Sequence, residues 1–467
     1  MSTPPSDPAD RSQKLFRHRR GPRDFLLYQI ETREAHDPDA VPAGQKDDDL
    51  AAAIKDLLVG ESFLRSALEK MDVHLKFGVL AVRVDAAKGK DSGSPLSSPP
   101  ENAPPAVQND PAALLATAQA LEQVCARHEA VWGRWDSTIF GCFVARADRN
   151  QCLDLAQTIR QNIALRNKGT TVSIGIALFP TVNFPRESMF ANAQKALEHA
   201  AFFGPESTVP FDAVTLNVSG DQLYQQNDVV GAIRELKTAL TIDPSNVNVH
   251  NSLGVCYAEK QAWDLAREAF ETARWLDPED TMAAYNLGLI HMLQDEPQEA
   301  LEFFRSAVEI DDEMFEAYIQ MGRLLLKAER AGEARSYLER AVELNPQTAP
   351  PHRFLGLCLE HLDQPQAAIS AYRQAVKCNP HDAASLSALG FLLDQAGENL
   401  EITTLFCKQG VDLEPGDGLY RHRLGLLYLK GGRQSAALAQ FEKAVELGHD
   451  SQAQIDALKP PPQPQAD

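Results

Sequence analysis

The chain has 467 residues, enough for roughly two to four domains of ordinary size. It carries 45 Lys and Arg against 65 Asp and Glu, which gives a formal net charge of −20. This balance argues against a general affinity for nucleic acid or an anionic membrane, because polyanions are bound mainly through clustered Lys and Arg. The seven cysteines are odd in number and form no C-x-x-C pair, so neither a disulfide framework nor a zinc site is predicted.

The N-terminal region contains no targeting or membrane-spanning pattern. No segment has the roughly 20 consecutive apolar residues that a transmembrane helix needs, and no short apolar core follows the basic residues to make a signal peptide. We therefore expect a cytoplasmic protein without a membrane span. Residues 1–49 lack apolar periodicity and are predicted to be flexible. The basic cluster from Lys14 to Arg23 is either solvated or docks on an acidic partner.

Residues 50–212 alternate between helical and strand-like patterns. Apolar residues recur near the 3.6-residue period from Leu50 to Met71, and short apolar runs bounded by turn residues follow. The predicted elements are a helix at 50–71, a strand at 77–85, a disordered insertion at 88–109, a helix at 111–128, a hairpin at 130–146, a helix at 152–163, a strand at 171–179 and a helix at 189–202. This order predicts one α/β or α+β domain.

The second half of the chain repeats itself. Leu-Gly or Met-Gly pairs recur every 34 or 35 residues, with Ala 12 and 19 residues after the glycine in all but the sixth unit. Small residues let two helices cross closely, and prolines separate one unit from the next. The spacing predicts seven helix pairs over 213–448, with large residues such as Phe270 and Phe304 between the helices. A short capping helix and a Pro-rich tail are predicted at 449–467.

This pattern resembles the tetratricopeptide repeat (TPR), a helix–turn–helix unit of 34 residues. The resemblance implies an all-α superhelix whose concave face, lined by the first helix of each unit, binds a protein or peptide partner. Carried over position by position, it implies that the groove residues include Asn251, Val255, Tyr285, Leu289, Ile319, Arg323, Lys327 and Arg353. The Lys and Asn that clamp a C-terminal carboxylate in some co-chaperones are not reproduced, so that ligand is not expected.

Three of these groove positions are basic. Arg323, Lys327 and Arg353 would form a positive strip inside an acidic protein, and such a strip would favour an acidic ligand. The alternative is that the three side chains are solvated residues of the helix faces. Both interpretations stay open at the level of sequence.

Residues 50–212 resemble a GGDEF domain, the fold of diguanylate cyclases. Asp56-Leu-Leu-Val-Gly60 is similar to the D-x-L-T-G motif, Ser173-Ile-Gly-Ile-Ala177 matches the S-I-G-I-A strand, and 193–204 follows the A-D-x-A-L-Y-x-A-K-x-x-G helix. The signature R-Y-G-G-D-E-F is degenerate, since Arg134-Trp135 precedes Asp136-Ser-Thr-Ile-Phe140. The resemblance therefore implies a fold without the family's catalytic acids.

The metal ligands of the family are also altered. The metal-binding carboxylate of the first strand is replaced by Arg83, and a guanidinium there would repel Mg²⁺. We expect no enzyme activity, no cofactor and no metal site. The family's product-inhibition motif R-x-x-D is partly kept as Arg127-His-Glu-Ala130, so Arg127 and Arg134 are candidate remnants of a nucleotide site. A surface arginine at a helix end is the alternative for Arg127.

The sequence thus predicts a multi-domain protein, with a degenerate GGDEF-like α/β domain followed by an all-α TPR superhelix, a combination that we associate with bacterial signalling proteins. The leading hypothesis is a non-enzymatic scaffold or adaptor that binds a partner in the TPR groove. One alternative is a receptor that responds to cyclic di-GMP or GTP through the first domain. A second is an active diguanylate cyclase regulated by the repeats.

Overall fold

The computed structural model describes residue 54 and residues 57–85, 110–128, 130–182 and 184–458. The predictions for 1–49 and 88–109, for Asp56 and for the Pro-rich tail lie outside these residues. The chain divides into two compact units, one ending at Pro278 and the other beginning at Glu279.

The first unit contains a five-stranded mixed sheet. Its strands are β1 (Phe77–Val84), β2 (Val131–Arg134), β3 (Ile139–Ala145), β4 (Val172–Phe179) and β5 (Thr208–Pro210). They lie in the order β2-β3-β1-β4-β5, so that β1 is central. β1 is antiparallel to both β3 and β4, β2 and β3 form the predicted hairpin, and β4 and β5 are parallel. The sheet of the predicted α/β domain is therefore mixed.

The helix predicted from Leu50 to Met71 is wrong in its described N-terminal part. The helix begins only at Glu61, after Gly60 with a positive φ of 53°. Before it, the backbone pairs with the end of β2, because Gly60 N donates to Arg134 O at 2.8 Å and Arg134 N donates to Leu58 O at 2.8 Å. These bonds satisfy groups that a helix would have bonded internally, so the segment extends the sheet edge instead.

Two helices cover each face of the sheet. The helices are α1 (Glu61–Met71), α2 (Pro111–Arg127), α3 (Arg149–Arg166) and α4 (Met189–Ala200). Alternate strand residues form two separate cores: Leu80 and Phe140 pack with α2 and α3, whereas Val79 and Phe143 pack with α1 and α4. Successive strand residues face opposite sides, so an apolar strand supplies both cores.

Helix pairs follow the sheet. The first unit continues with α5 (Ala213–Gln225), α6 (Val229–Ile242), α7 (Val247–Glu259) and α8 (Trp263–Leu276). The described part of the second unit is all helical and consists of α9 (Thr281–Leu293), α10 (Pro297–Ile310), α11 (Phe315–Lys327), α12 (Ala331–Leu344), α13 (Ala349–His361), α14 (Pro365–Cys378), α15 (Ala383–Gln395), α16 (Leu400–Leu413), α17 (Gly418–Lys430), α18 (Gln434–Glu446) and α19 (Gln452–Leu458).

The repeated glycines lie where the two helices of a pair cross, as the spacing predicts. A Cβ added to Gly288 on α9 would lie 2.6 Å from the ring of Phe304 on α10. Ala300 and Ala307 on α10 are fully buried, and so is Phe304. Small residues on both helices thus bring the backbones together around one large aromatic ring.

The sixth helix pair departs from the repeat in sequence but not in packing. Thr403, which stands at the first alanine position, is fully buried, and its hydroxyl donates to Leu400 O at 3.1 Å. A Cβ added to Gly410, at the second alanine position, would lie 3.0 Å from Ala383 O. Glycine therefore permits a close approach of α15 and α16 here.

Helix α19 lies within the range where the short capping helix is predicted. Ile455 is buried and packs with Ala437 and Phe441 of α18. Ahead of the helix, the hydroxyl of the buried Ser451 lies 2.7 Å from His422 Nδ1 and 3.3 Å from His449 Nδ1. The two imidazole rings lie 4.5 Å apart, centroid to centroid. Two titratable rings thus meet at the start of α19.

We expect acidification to release α19. Burial lowers the pKa of His422, and His449 and Arg423 lower it further, while Asp450 acts in the opposite direction. The packed state therefore favours the neutral imidazole of His422. The packing of α19 is consequently stable at neutral pH and loses stability as the pH falls through the pKa range of histidine. Amide exchange in Gln452–Leu458, corrected for its intrinsic pH dependence, should rise several-fold between about pH 7.5 and about pH 5. His422→Gln should remove most of this rise, and an equal rise in that variant would contradict the assignment.

Candidate partner-binding surface

Two of the predicted groove residues lie in the first unit, on α7. Asn251 is half-buried, and Val255 is buried with 8% of its surface exposed. Both belong to the first helix of the second repeat. Of the two, Asn251 has the greater access to solvent.

Tyr285 and Leu289 of α9 are core residues of the second unit. Tyr285 is 1% exposed and Leu289 is 0% exposed. The Tyr285 ring packs against Phe304 of α10, with 5.5 Å between ring centroids. We correct the prediction for these two residues, because side chains without exposed surface have no area to offer a partner. Ile319 of α11 is also buried.

The basic residues Lys327 and Arg353 form ion pairs with acids of neighbouring helix pairs. Lys327 Nζ lies 2.8 Å from Asp295 Oδ1, and this hydrogen bond lowers the pKa of Asp295. Both side chains are largely exposed, so this pair adds little stability. Arg353 Nη1 lies 3.4 Å from Oδ1 of Asp382, the residue that caps α15. The charges of Lys327 and Arg353 are therefore partly balanced within the chain.

Arg323 and Arg353 both stack on Phe354. The guanidinium carbon of Arg323 lies 5.1 Å from the Phe354 ring centroid, and that of Arg353 lies 4.8 Å from it. Arg323 also donates to Gln320 Oε1 at 3.1 Å. A ring that holds two guanidinium groups by cation–π contact orients them and reduces the entropy that they lose on binding. The structure thus joins two of the three predicted basic residues through an aromatic residue.

A second arginine–phenylalanine contact lies on the following first helices. The Arg423 guanidinium lies 5.4 Å from the Phe391 ring centroid, and Arg423 Nη2 lies 3.6 Å from Glu360 Oε2. Glu360 also accepts a hydrogen bond from the Tyr372 hydroxyl. Burial and the Glu360 carboxylate raise the pKa of Tyr372, so this hydroxyl remains a donor at neutral pH.

We name these residues the Arg–Phe strip: Arg323, Arg353, Phe354, Glu360, Phe391 and Arg423. They lie on α11, α13, α15 and α17, each of which is the first helix of its pair. Sequence reasoning found two of the six. The signal that sequence reasoning overlooked is the dipeptide Arg353-Phe354 of α13, which lies about one repeat length after Arg323. This dipeptide places an aromatic ring next to the guanidinium groups of Arg323 and Arg353.

The two arginines considered as nucleotide-site remnants have different surroundings. Arg127 is exposed in the last turn of α2. Arg134 is only 5% exposed, and its guanidinium donates to Asp136 O at 3.0 Å and to Ser137 O at 2.6 Å. The side chain of Asp136 in turn accepts from the backbone N–H groups of Thr138 and Ile139. Arg134 and Asp136 therefore hold the β2–β3 turn together.

The first-strand residue Arg83 lies in the sheet at the position predicted for a metal ligand. It is half-buried and stands opposite Ile139 of β3 and Ser173 of β4. The Asp85 carboxylate accepts from Ser173 Oγ at 2.6 Å and from Glu206 N at 2.8 Å. In the ranges that the structure describes, no group of three or more His, Cys, Asp or Glu side chains is arranged to hold a metal ion.

Comparison with known protein families identifies the helix pairs. Models described as TPR repeat or tetratricopeptide repeat match residues 220–261, 280–347, 319–383 and 420–447. Together with the 34-residue helix pairs, these matches confirm that the chain contains tetratricopeptide repeats. Among the helices of the described residues, none is both long and apolar enough to cross a bilayer.

Several solved structures are similar to part of the chain. PilF of Pseudomonas aeruginosa is 22% identical, over 45% of this chain and 95% of its own, with a TM-score of 0.42. YrrB, described as a TPR protein with an unusual peptide-binding site, is 21% identical over 40% and 96%, with a TM-score of 0.34. MamA of Desulfovibrio magneticus RS-1 is 24% identical over 37% and 97%, with a TM-score of 0.32. No curated protein matches the chain.

Proposed function

We propose that this protein is a protein-interaction scaffold that binds a partner polypeptide on the first helices of its tetratricopeptide repeats. The observation that carries the proposal is the Arg–Phe strip on these helices in the second unit. Arginines and aromatic rings are the residue types in which protein interfaces concentrate their binding energy. Lys327 and Asn251, which are accessible to solvent, are further candidate contacts.

The partner that suits this surface is a peptide with acidic and apolar side chains. A guanidinium stacked on a ring still uses its N–H edge for hydrogen bonds, and that edge matches a carboxylate in geometry. Asp382 pairs with Arg353 and also accepts a hydrogen bond from Ser385 Oγ at 3.0 Å in the first turn of α15. An incoming carboxylate would therefore compete with an acid that already has other partners. Charge alone would not provide the affinity, so the apolar side chains of the peptide would also contact Phe354 and Phe391.

The sheet domain has no catalytic part in this proposal. We propose that it is a degenerate GGDEF-like domain, in which Arg83 replaces a metal-binding carboxylate and Arg134 maintains a turn. Turnover of GTP with Mg²⁺ by the purified full chain would contradict this part of the proposal. Cyclic di-GMP binding that is lost in Arg127→Ala would favour the receptor alternative instead.

Arg323→Glu is expected to abolish partner capture by the immobilised full chain. The substitution reverses a charge that stacks on Phe354, and loss of an interface arginine of this kind lowers affinity about 30-fold or more. The measurement is affinity capture followed by mass spectrometry, with the wild-type chain and each variant side by side. A partner identified in this way is then titrated against each chain by calorimetry.

Arg373→Glu is the matched control, because Arg373 is exposed on α14, the second helix of its pair. It makes the same change of charge away from the Arg–Phe strip and should leave capture unchanged. If both variants lose the partner equally, binding depends on the overall charge and not on this surface. If neither loses it, the partner binds elsewhere on the chain.

A further inference from the structure

The sheet domain and the first repeat are joined by a very short connection. β5 ends at Pro210 and α5 begins at Ala213, so only Phe211 and Asp212 lie between them. Both are fixed: Phe211 N donates to Ile176 O of β4 at 2.7 Å, and the Asp212 carboxylate caps α5 by accepting from Thr215 N at 2.8 Å. A connection of two residues that both form such bonds has little freedom to act as a flexible linker.

The apolar cores of the sheet domain and of the first repeats share two aromatic residues. Phe184 and Phe211 pack against the sheet core that contains Phe190 and Leu197, and also against the repeat core that contains Leu216 and Val249. Their rings meet edge to face, 5.4 Å apart. The two parts are therefore continuous in packing as well as in backbone.

Polar contacts across this boundary come from helix α4. Lys195 Nζ lies 2.5 Å from Glu235 Oε1 of α6, and both side chains are about three-quarters buried, with 26% and 21% exposed. His199 Nδ1 lies 3.1 Å from Thr215 Oγ1 of α5, and both residues are buried. Helix α4 thus contacts both helices of the first repeat.

The repeat register shows which side of the first repeat α4 covers. Thr215 and Val249 are 34 residues apart and so occupy the same place in consecutive repeats. Val249 is fully buried in a cluster with Leu236 and Ala239 of the preceding helix α6. Thr215 has no preceding repeat and contacts His199 instead. Helix α4 therefore covers the side that a preceding repeat would cover.

We infer that the sheet domain acts as the N-terminal cap of the repeat array, a function that needs no nucleotide chemistry. Repeat arrays require a cap at each end, because a terminal repeat otherwise exposes the face that packs on its neighbour. Helix α4 supplies this cap with specific polar contacts as well as apolar area. Local unfolding of the sheet domain is then transmitted to α5 and α6.

The test is a charge exchange across the boundary, followed by hydrogen exchange with mass spectrometry on the full chain. Lys195→Glu and Glu235→Lys should each speed amide exchange in α5 by about tenfold, because each places two like charges in a mostly buried site. The double variant should return exchange to within a few-fold of the wild type. Arg234→Glu, an exposed neighbour on α6, is the control and should leave α5 unchanged.

A second variant tests capping apart from the ion pair. Phe63 is fully buried in the sheet core against Phe190, so Phe63→Leu should loosen the sheet domain without touching a repeat. Exchange should then rise in α5 and α6 as well as in α1, while α17 and α18 keep their wild-type rates. The inference is overturned if α5 keeps its wild-type exchange when α1 loses protection. It is also overturned if the charge variants behave like Arg234→Glu.

Discussion

Replacing Phe304 with alanine is expected to lower the local stability of the α9–α10 pair by about 3–5 kcal/mol. Phe304 is fully buried and contacts both Gly288 and the ring of Tyr285. Its removal leaves a cavity between the two helices, next to the ring of Tyr285 and the backbone at Gly288. Amide exchange of α9 and α10 in the full chain measures the loss, since a repeat array need not unfold in one step.

A second substitution, at Gly288, should show that Gly288 and Phe304 share one space between the two helices. Gly288→Val places a methyl-bearing side chain where the ring now lies, which should cost about 1–3 kcal/mol by overpacking. In the double variant the valine partly fills the cavity, so the combined loss should be clearly smaller than the sum of the two single losses. Glu302→Ala, on the exposed side of α10, is the control and should change little. Strictly additive losses would contradict this view of the crossing.

The repeat packing was predictable because its cause is local and recurs. Close helix crossing demands small residues at fixed places, and the 34-residue spacing makes these places visible in Gly288, Ala300 and Ala307. A ring such as Phe304 is then required to fill the remaining space. Three further pairs place a ring at the same position, namely Phe270, Tyr372 and Phe441, so the inference does not depend on any one residue.

The groove positions were less predictable, because the first helices are buried on more than one side. In α9 the residues from Ala283 to Ile290 are all buried, so apolar spacing does not distinguish a core face from a partner face. Position in the repeat placed Tyr285 and Leu289 in the groove, while their local packing places them in the core. The Arg–Phe strip depends on contacts between residues such as Arg323 and Phe354, which are about one repeat apart and far outside any helical period.

The β2–β3 turn shows a different limit of sequence reasoning. In the sequence, Arg134 beside a degenerate motif suggests a ligand-binding residue. The backbone carbonyls that accept its hydrogen bonds cannot be recognised from the sequence, so a structural role is not visible there. Only the fold shows that Arg134 is buried and directed back at Asp136 and Ser137. The Leu57–Gly60 segment differs from the predicted helix for the same reason, since its hydrogen-bond partner on β2 is distant in sequence.

Arg134→Ala is therefore expected to destabilise the sheet domain by about 3 kcal/mol. The variant removes two charged donors and leaves the Asp136 and Ser137 carbonyls without the hydrogen bonds that they now accept from Arg134. Arg134→Lys should recover only part of the loss, because an ammonium group cannot reproduce the separate Nε and Nη donors of the guanidinium. Trp135 follows Arg134 and packs edge-on against Phe190 at 5.2 Å. Because Trp135 is one of four tryptophans, amide exchange of β2 and β3 in the full chain is the measurement that reports on this turn.

Arg149→Ala provides the control, since Arg149 is exposed at the start of α3. It removes the same charge from the same domain and should change stability by less than about 0.5 kcal/mol. An equally small effect of Arg134→Ala would mean that the turn holds without the guanidinium, and a ligand-binding role for Arg134 would regain support. A large loss of stability would instead show that the β2–β3 turn depends on Arg134. That dependence would account for an arginine beside a degenerate motif without any catalytic role.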